Sequence, residues 1–350
     1  MKFDLSFYKR KKVLITGHTG FKGSWMSVML VNAGANVIGY SLEPDSEPNL
    51  FELCGIKDQI ISIIGDIRDL DHLKKVFDEY RPDIVIHMAA QPIVRAGYDD
   101  PVNTYSTNVM GTVNVLECIR LNDCVRSFVN VTTDKVYENK ETGRGFTEDD
   151  PLDGYDPYSN SKSCSELVTH SYKKSFFEAG GTAISTARAG NVIGGGDFAA
   201  DRIIPDCVRA AVSGADIVVR NPYSIRPYQH VLEPVYVYLM IASLQYEDNS
   251  LSGYYNVGPE LSDCFKTGDL VDLFIKYWGE GLKRIDKCDD GPHEASFLKL
   301  DCSKLKGTFD WKPRWNLETA VNKTVEWTKV WKSGHDIRLC MDDQIKDFLG

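Results

Sequence analysis

The chain has no apolar run long enough to cross a bilayer, so a membrane-spanning helix is excluded as its organising element. Its first residues, Met1-Lys2-Phe3-Asp4 through Tyr8-Lys9-Arg10-Lys11-Lys12, run into a strand pattern and lack a signal-peptide core. A cytoplasmic protein is therefore expected. Paired cysteines are also missing. The nine cysteines (54, 118, 124, 164, 207, 264, 288, 302 and 340) are odd in number, scattered, and never in C-x-x-C spacing. They read as small hydrophobes in a reducing compartment, with no disulfide framework. His18, His87 and His230 do not cluster with cysteine or carboxylate at metal spacing, so structural roles and no metal are expected. Positive charge is in deficit, at 40 Lys and Arg against 50 Asp and Glu, a net −10. That balance argues against nucleic acid or an anionic membrane as partner, although an anionic substrate would still need a local basic cluster. Neither an obvious linker nor an internal repeat interrupts the sequence.

The bulk composition, 43% apolar and 26% charged, is that of an ordinary globular protein. Its 350 residues suffice for one large domain or two modest ones. Strand-like runs at 13–16, 36–40, 60–64, 84–87, 128–132 and 183–187 alternate with helical stretches such as 24–33, 70–79 and 104–120. Continuous apolar strands alternating with helices predict a parallel sheet covered on both faces, and right-handed crossovers make it doubly wound. The pattern changes at Gly190-Asn191-Val192-Ile193-Gly194-Gly195-Gly196-Asp197. The expected fold is thus α/β: a Rossmann-type domain over 1–190 and a smaller mixed α/β substrate-binding domain over 191–230 and 261–350. Residues 231–260 are expected to return to the first domain, with a helix at 235–245 and a strand at 254–257.

The first strand leads into Gly17-His18-Thr19-Gly20-Phe21-Lys22-Gly23 and then a helical stretch. Strand, glycine turn and helix in that order form a phosphate cradle, because glycines admit close backbone approach and a helix N-terminus attracts negative charge. The spacing is G-x-x-G-x-x-G, and its place behind the first strand predicts a dinucleotide site. Gly65-Asp66-Ile67 after the third strand fits an adenine contact, a carboxylate for the exocyclic amine beside an apolar wall; an ordinary strand-end aspartate fits as well. The second strand ends Gly39-Tyr40-Ser41-Leu42-Glu43, without an immediate acidic residue for a ribose or an arginine for an extra phosphate. NAD is the expected cofactor.

Two further stretches carry chemistry. Thr132, Thr133, Asp134 and Lys135 end the buried strand run of Phe128-Val129-Asn130-Val131. Tyr158 and Lys162 are four residues apart, so on a helix both point the same way. A fixed positive charge beside a phenol favours the phenolate, which can take a proton from an alcohol while another group takes the hydride.

Together these residues resemble the extended short-chain dehydrogenase/reductase family, and within it the nucleotide-sugar 4,6-dehydratases. The stretches that carry the likeness are Gly17 to Trp25, His87-Met88-Ala89-Ala90-Gln91-Pro92, Thr132 to Tyr137 and Pro157 to Lys162. Arg188 to Asp197, Arg226-Pro227-Tyr228-Gln229-His230-Val231 and Leu300-Asp301-Cys302-Ser303-Lys304 complete it, from about residue 10 to 330. Its most specific element is Thr133-Asp134-Lys135, since most such dehydratases carry Thr-Asp-Glu there. The resemblance implies three stages: oxidation at C-4 of the hexose, loss of water across C-5 and C-6, and hydride return to C-6. It implies Tyr158 as base for the 4-hydroxyl, Thr133 as its hydrogen-bond partner and Lys162 as support for the phenolate. Asp134 is implied as the acid for the 6-hydroxyl and Lys135 as the C-5 base. Cofactor contacts are expected from Gly17, Thr19, Gly20, Phe21, Lys22, Gly23, Asp66, Ile67, Ala89, Ala90, Gln91, Thr132, Tyr158 and Lys162. For the substrate, Gln91, Arg95, Asn191, Arg202, Arg220 and Arg226 are candidates, because arginine forks suit phosphate oxygens; surface arginines are the alternative. The implied substrate is a nucleotide hexose, CDP-glucose, in deoxysugar biosynthesis for lipopolysaccharide O-antigen, with the cytidine coming from the resemblance alone. A homodimer or homotetramer is implied, joined through helices at 104–120 and 158–177.

Other readings stay open at this level. A sugar-nucleotide 4-epimerase shares the cofactor, Tyr158 and Lys162 but needs no acid for a 6-hydroxyl. A dehydratase for another nucleotide and a non-catalytic dinucleotide-binding redox sensor are further alternatives. Glu148-Asp149-Asp150 reads as a solvated loop, and Trp278, Trp311, Trp315, Trp327 and Trp331 read as packing of the C-terminal part.

Overall fold

Alternation along the first strand sets the layers. In β1 (Lys12–Thr16), Val13 and Ile15 enter one apolar core and Leu14 enters another, and none of them keeps exposed surface. A strand buried on both sides has to lie inside a sheet with a layer on each face. The computed structural model describes residues 3–141, 143–178, 180–279, 281–287 and 297–350. After β1 come β2 (Asn36–Ser41), β3 (Ile61–Ile64), β4 (Ile84–His87), β5 (Ser127–Thr133) and β6 (Ala183–Ala189). Short strands β7 (Val192–Ile193), β8 (Ile217–Val219), β9 (Ile225–Arg226) and β10 (Gln229–His230) precede β11 (Tyr254–Val257), β12 (Phe265–Lys266) and β13 (Arg284–Asp286). The main sheet has seven strands in the order β11-β6-β5-β4-β1-β2-β3, each neighbouring pair parallel. The strand order reverses between β1 and β4, which opens a crevice at the C-terminal strand ends.

The helices of the first half are α1 (Phe21–Asn32), α2 (Leu50–Leu53), α3 (Leu70–Tyr80), α4 (Val94–Asp99), α5 (Pro101–Tyr105), α6 (Gly111–Leu121) and α7 (Pro157–Tyr172). A π-helical stretch, Ser106–Met110, joins α5 to α6, so the predicted helix over 104–120 is continuous but irregular. The remaining helices are α8 (Ile203–Ser213), α9 (Leu232–Glu247), α10 (Thr267–Trp278), α11 (Ser303–Phe309), α12 (Leu317–Lys332) and α13 (Ile337–Leu349). Helix α9 is buried almost all round and belongs to the core beneath the sheet, with β11 beside β6.

Helices α8, α10 and α12 build a separate small core with Ile217, Val219, Phe274 and Trp278. Yet Leu305, Phe309 and Trp311, with Ile337, Met341, Ile345 and Phe348 of α13, pack into the same core as α1 and α9. These stretches were expected on the substrate side; their apolar faces are buried instead by the sheet's own helical layer. Trp278, Trp311 and Trp327 are buried in these cores, with Trp315 and Trp331 packed at their margins. The acidic run is not simply solvated. Glu148 accepts the Asn256 N–H at 2.8 Å, and Asp150 holds Arg144 and the Thr147 N–H.

Two buried carboxylates test the packing. Glu166 on α7 is 1% exposed and receives Arg188 (3.1 and 3.0 Å), the Thr132 hydroxyl (2.5 Å) and the Thr186 hydroxyl (2.8 Å). Removing one partner of such a pair strands the other charge. Glu166→Ala is expected to lower the unfolding free energy by about 3–5 kcal/mol in urea titration. Glu233 accepts the N–H groups of Arg314 and Trp315, while its second oxygen is buried without a partner. Burial lifts its carboxyl from 4.5 to about 7. The folded protein therefore holds this proton more tightly, and the associated stability is lost as pH rises from about 4.5 through 7. Chemical denaturation across that range is expected to show the decline in the native chain and a flatter profile in Glu233→Gln.

Candidate active site

The glycine turn between β1 and α1 is shaped by close backbone approach. Gly17 has φ +81°, and a Cβ there would lie 2.8 Å from the Ala89 nitrogen. A Cβ on Gly23 would lie 2.1 Å from the Gly17 oxygen. Gly20 caps α1 without a side-chain acceptor, so the first helical N–H groups face outward as anion donors. The loops after β1 and β4 are pinned together by Thr16. Its hydroxyl oxygen accepts the Met88 and Ala89 N–H groups at 3.1 and 3.2 Å, so its own proton goes to His87 Nδ1 at 2.7 Å. His87 then carries its ring proton on Nε2 and donates to Thr112 at 3.2 Å. Burial lowers the His87 pKa to about 3, which keeps the ring neutral.

Helix α7 is fixed at its start by Asp156, which accepts from the Ser159 N–H and hydroxyl at 3.0 and 2.5 Å, with Pro157 in the first turn. Tyr158, Lys162 and Glu166 then share one face at successive i+4 steps. Opposite them β5 ends at Thr133, followed by a tight turn carrying Asp134 and Lys135.

These elements enclose a cavity of about 510 Å³. Its wall includes Phe21, Lys22, Ala90, Arg95, Thr132, Thr133, Asp134, Lys135, Tyr158, Lys162, Asn191, Arg202, Arg220 and Arg226. In a chain of net −10, the wall's Lys22, Arg95, Lys135, Lys162, Arg202, Arg220 and Arg226 outnumber Asp134, Asp197, Asp201 and Asp206. The Thr133 hydroxyl donates to Asp134 Oδ1 at 3.0 Å, and Tyr158 lines the same cavity. Asp134 is 1% exposed, its Oδ2 has no partner, and burial raises its pKa against the pull of Lys135, Thr133 and Arg226. Lys162 donates to the Val131 carbonyl at 3.2 Å, and burial lowers its ammonium to about 8.

Several expectations need correction. Burial raises the Tyr158 phenol to about 12, opposed by the polar Thr133 side chain and the Arg202 charge; within the protein alone it is not lowered. Thr132 lines the cavity, but its hydroxyl turns to Glu166. Gln91 lies outside the cavity wall and spends its carboxamide on Thr104 (2.8 Å) and the Ile93 N–H (2.6 Å), bracing its own loop. The Thr19 hydroxyl ties the turn to β2 through Ser41 and the Leu42 carbonyl, both at 2.9 Å. Asp66 is held by Arg68 at 2.9 and 3.0 Å, which lowers its pKa, so an adenine amine would have to share it. Ile67 packs under Gly111. Gly17, Gly20, Gly23 and Ala89 form the backbone cradle beyond the cavity wall. Sequence reading missed Glu166, whose i+4 spacing from Lys162 was a usable signal, and Asp197, which pairs with Arg202 at 3.0 Å.

A doubly wound sheet with a glycine cradle and a tyrosine–lysine helix face defines a class, and the comparisons agree. The chain belongs to the GDP-mannose 4,6 dehydratase family, whose profile matches residues 14–324, and so to the extended short-chain dehydrogenases/reductases. It is 45% identical to CDP-glucose 4,6-dehydratase of Salmonella typhimurium, across 99% of this chain and 98% of that one. It is 25% identical to dTDP-glucose 4,6-dehydratase of Haemophilus influenzae, across 90% of this chain and 97% of that one. Among solved structures it matches a UDP-glucose 4-epimerase of Thermotoga maritima, with TM-score 0.79 and 20% identity over 91% of this chain and 98% of that one. A dTDP-glucose 4,6-dehydratase of Bacillus anthracis, in complex with NAD, matches with TM-score 0.75 and 22% identity over 91% and 96%. These two structures speak to fold alone.

A difference ultraviolet titration of the native protein against Tyr158→Phe, without added cofactor, is expected to show no phenolate from residue 158 below about pH 10. A tyrosinate signal near neutrality would contradict the dominance of burial.

Proposed function

We propose that the chain converts CDP-glucose to CDP-4-keto-6-deoxyglucose and water. The observation that carries this reading is the 45% identity to the Salmonella typhimurium enzyme along the entire chain, joined to Thr133, Asp134, Lys135 and Tyr158 facing one cavity. The cradle at Gly17 and Gly23, which a Cβ would fill, suits a dinucleotide pyrophosphate. NAD held there by the Gly17–Gly23 turn would supply a reversible hydride acceptor for the hexose.

Tyr158 takes the proton of the 4-hydroxyl, with Thr133 holding the 4-oxygen in place. Lys162 contributes positive charge to the ionised phenol, and its depressed pKa keeps that charge adjustable near neutrality. The resulting 4-ketone acidifies the C-5 proton, which Lys135 is assigned to take and to give back to C-5 as C-6 is reduced. Asp134, whose hold on a proton burial strengthens, is assigned to protonate the departing 6-hydroxyl. Arg202, Arg220 and Arg226 are assigned to the diphosphate, with Asn191 and Arg95 beside them. The acid at position 134 favours dehydration over 4-epimerisation, and the full catalytic set disfavours a silent dinucleotide sensor. We further assign the chain to the cytoplasm and to a homodimer or larger assembly. Exposed Val102, Met110, Leu167 and Phe176 on the α5–α7 face support the assembly.

The test offers CDP-, dTDP-, GDP- and UDP-glucose with NAD and identifies products by mass and NMR. CDP-glucose is expected to lose one water; an epimer instead would overturn the reading. Asp134→Asn is expected to slow dehydration by about 10²–10⁴-fold while C-4 oxidation persists, seen as reduced-cofactor absorbance. Tyr158→Phe is expected to abolish that absorbance as well.

A further inference from the structure

Three of the cavity's arginines already face carboxylates from one short segment. Arg202 pairs with Asp197 at 3.0 Å, and Arg220 meets Asp201 at 2.8 Å and Asp206 at 3.8 Å. Arg95, which comes from α4 at the end of the sheet, reaches Asp201 from the other side at 3.9 Å. Asp201 therefore spans the cleft, joining an arginine that follows β4 to one that follows β8.

The three aspartates are not alike. Asp197 is buried and anchored by the Ala199 N–H at 3.2 Å, and Asp206 is also held by Arg209 within α8. Asp201 is 39% exposed and sits in left-handed backbone at φ +59°, an uncommon conformation for a residue with a side chain. Its ion pairs face water, where such pairs hold weakly. Asp201 is thus the most readily displaced of the three.

We propose that Asp201 is a specificity-determining residue: a resident competitor anion that occupies the Arg220 and Arg95 forks until a more highly charged ligand displaces it. The proposal rests on the assignment of these arginines to the substrate diphosphate. A diphosphate brings enough charge and enough oxygens to replace the carboxylate at both forks. A monophosphate replaces it at one and leaves the other exchange uncompensated. Asp201 therefore raises the preference for nucleoside diphosphates over monophosphates.

The test is calorimetric titration of CDP and CMP into the full chain at low and high salt, for the native protein, Asp201→Asn, Arg220→Gln and the double variant. Asparagine tolerates the left-handed backbone, so the substitution removes charge without adding strain. Asp201→Asn is expected to tighten CDP by about threefold and CMP by more, narrowing the ratio between them, as suits loss of one exposed ion pair. The gain should shrink at high salt and vanish in the Arg220→Gln background. Unchanged or weaker binding in Asp201→Asn, or an equal gain in the double variant, overturns the competitor role alone. Absence of any nucleotide binding to the folded native protein overturns the diphosphate assignment beneath it.

Discussion

The carboxylate of Glu166 joins the three elements from which the proposed chemistry is built. It lies on α7, two turns beyond Tyr158 and one beyond Lys162, and it is bonded by Thr132 on β5 and by Thr186 and Arg188 on β6. Thr133, Asp134 and Lys135 continue from β5, and Asn191 follows β6. A buried ion pair contributes little net stability against an apolar replacement, but it enforces one geometry because its partners cannot be left alone. The distances among helix face, strand end and turn are set by that requirement. The network extends outward, since Arg188 also donates to Tyr137, whose hydroxyl donates to Asn256 on β11.

The cofactor half has its own pin. Thr16 accepts two N–H groups from the loop after β4 and gives its proton to a histidine held neutral by burial. The direction of each hydrogen bond follows from donor counting, because a hydroxyl has one proton and that proton is committed. The consequence is a fixed separation between the glycine turn and the Ala89 backbone, at the point where the strand order reverses. The π-helical stretch beside it lets Asn108 bond both the Gln91 backbone and Ser161 on α7, which couples this loop to the tyrosine helix.

Inside the cavity, burial acts on Asp134, Tyr158 and Lys162 in the same sense. It raises Asp134 and Tyr158 and lowers Lys162, in each case favouring the neutral form. The wall supplies Arg95, Arg202 and Arg220 partly exposed, with Arg226, Asp134, Tyr158 and Lys162 buried, an arrangement matched to a ligand that carries charge at one end. Aspartates from 197 to 206 moderate the arginines, so the excess positive charge is divided rather than concentrated.

Much of this was legible in the residues. Strand ranges 84–87 and 254–257 coincide with β4 and β11, because apolar runs bounded by turn residues leave little choice of register. The glycine turn and the Tyr158–Lys162 spacing were readable because each is local, fixed by a few consecutive dihedrals or one helical repeat. Contacts between distant segments were not. Gln91 could have faced a ligand, and Thr104 claimed it; Asp66 could have faced an adenine, and Arg68 took it. Nothing local says that the 197–206 segment will bring its carboxylates to arginines from two other segments, or that α13 will lie on the sheet's layer. Local steric and periodic constraints act within a few residues and are written in order along the chain. Hydrogen-bond partners and desolvation depend on which atoms meet in space, and only the folded arrangement decides that.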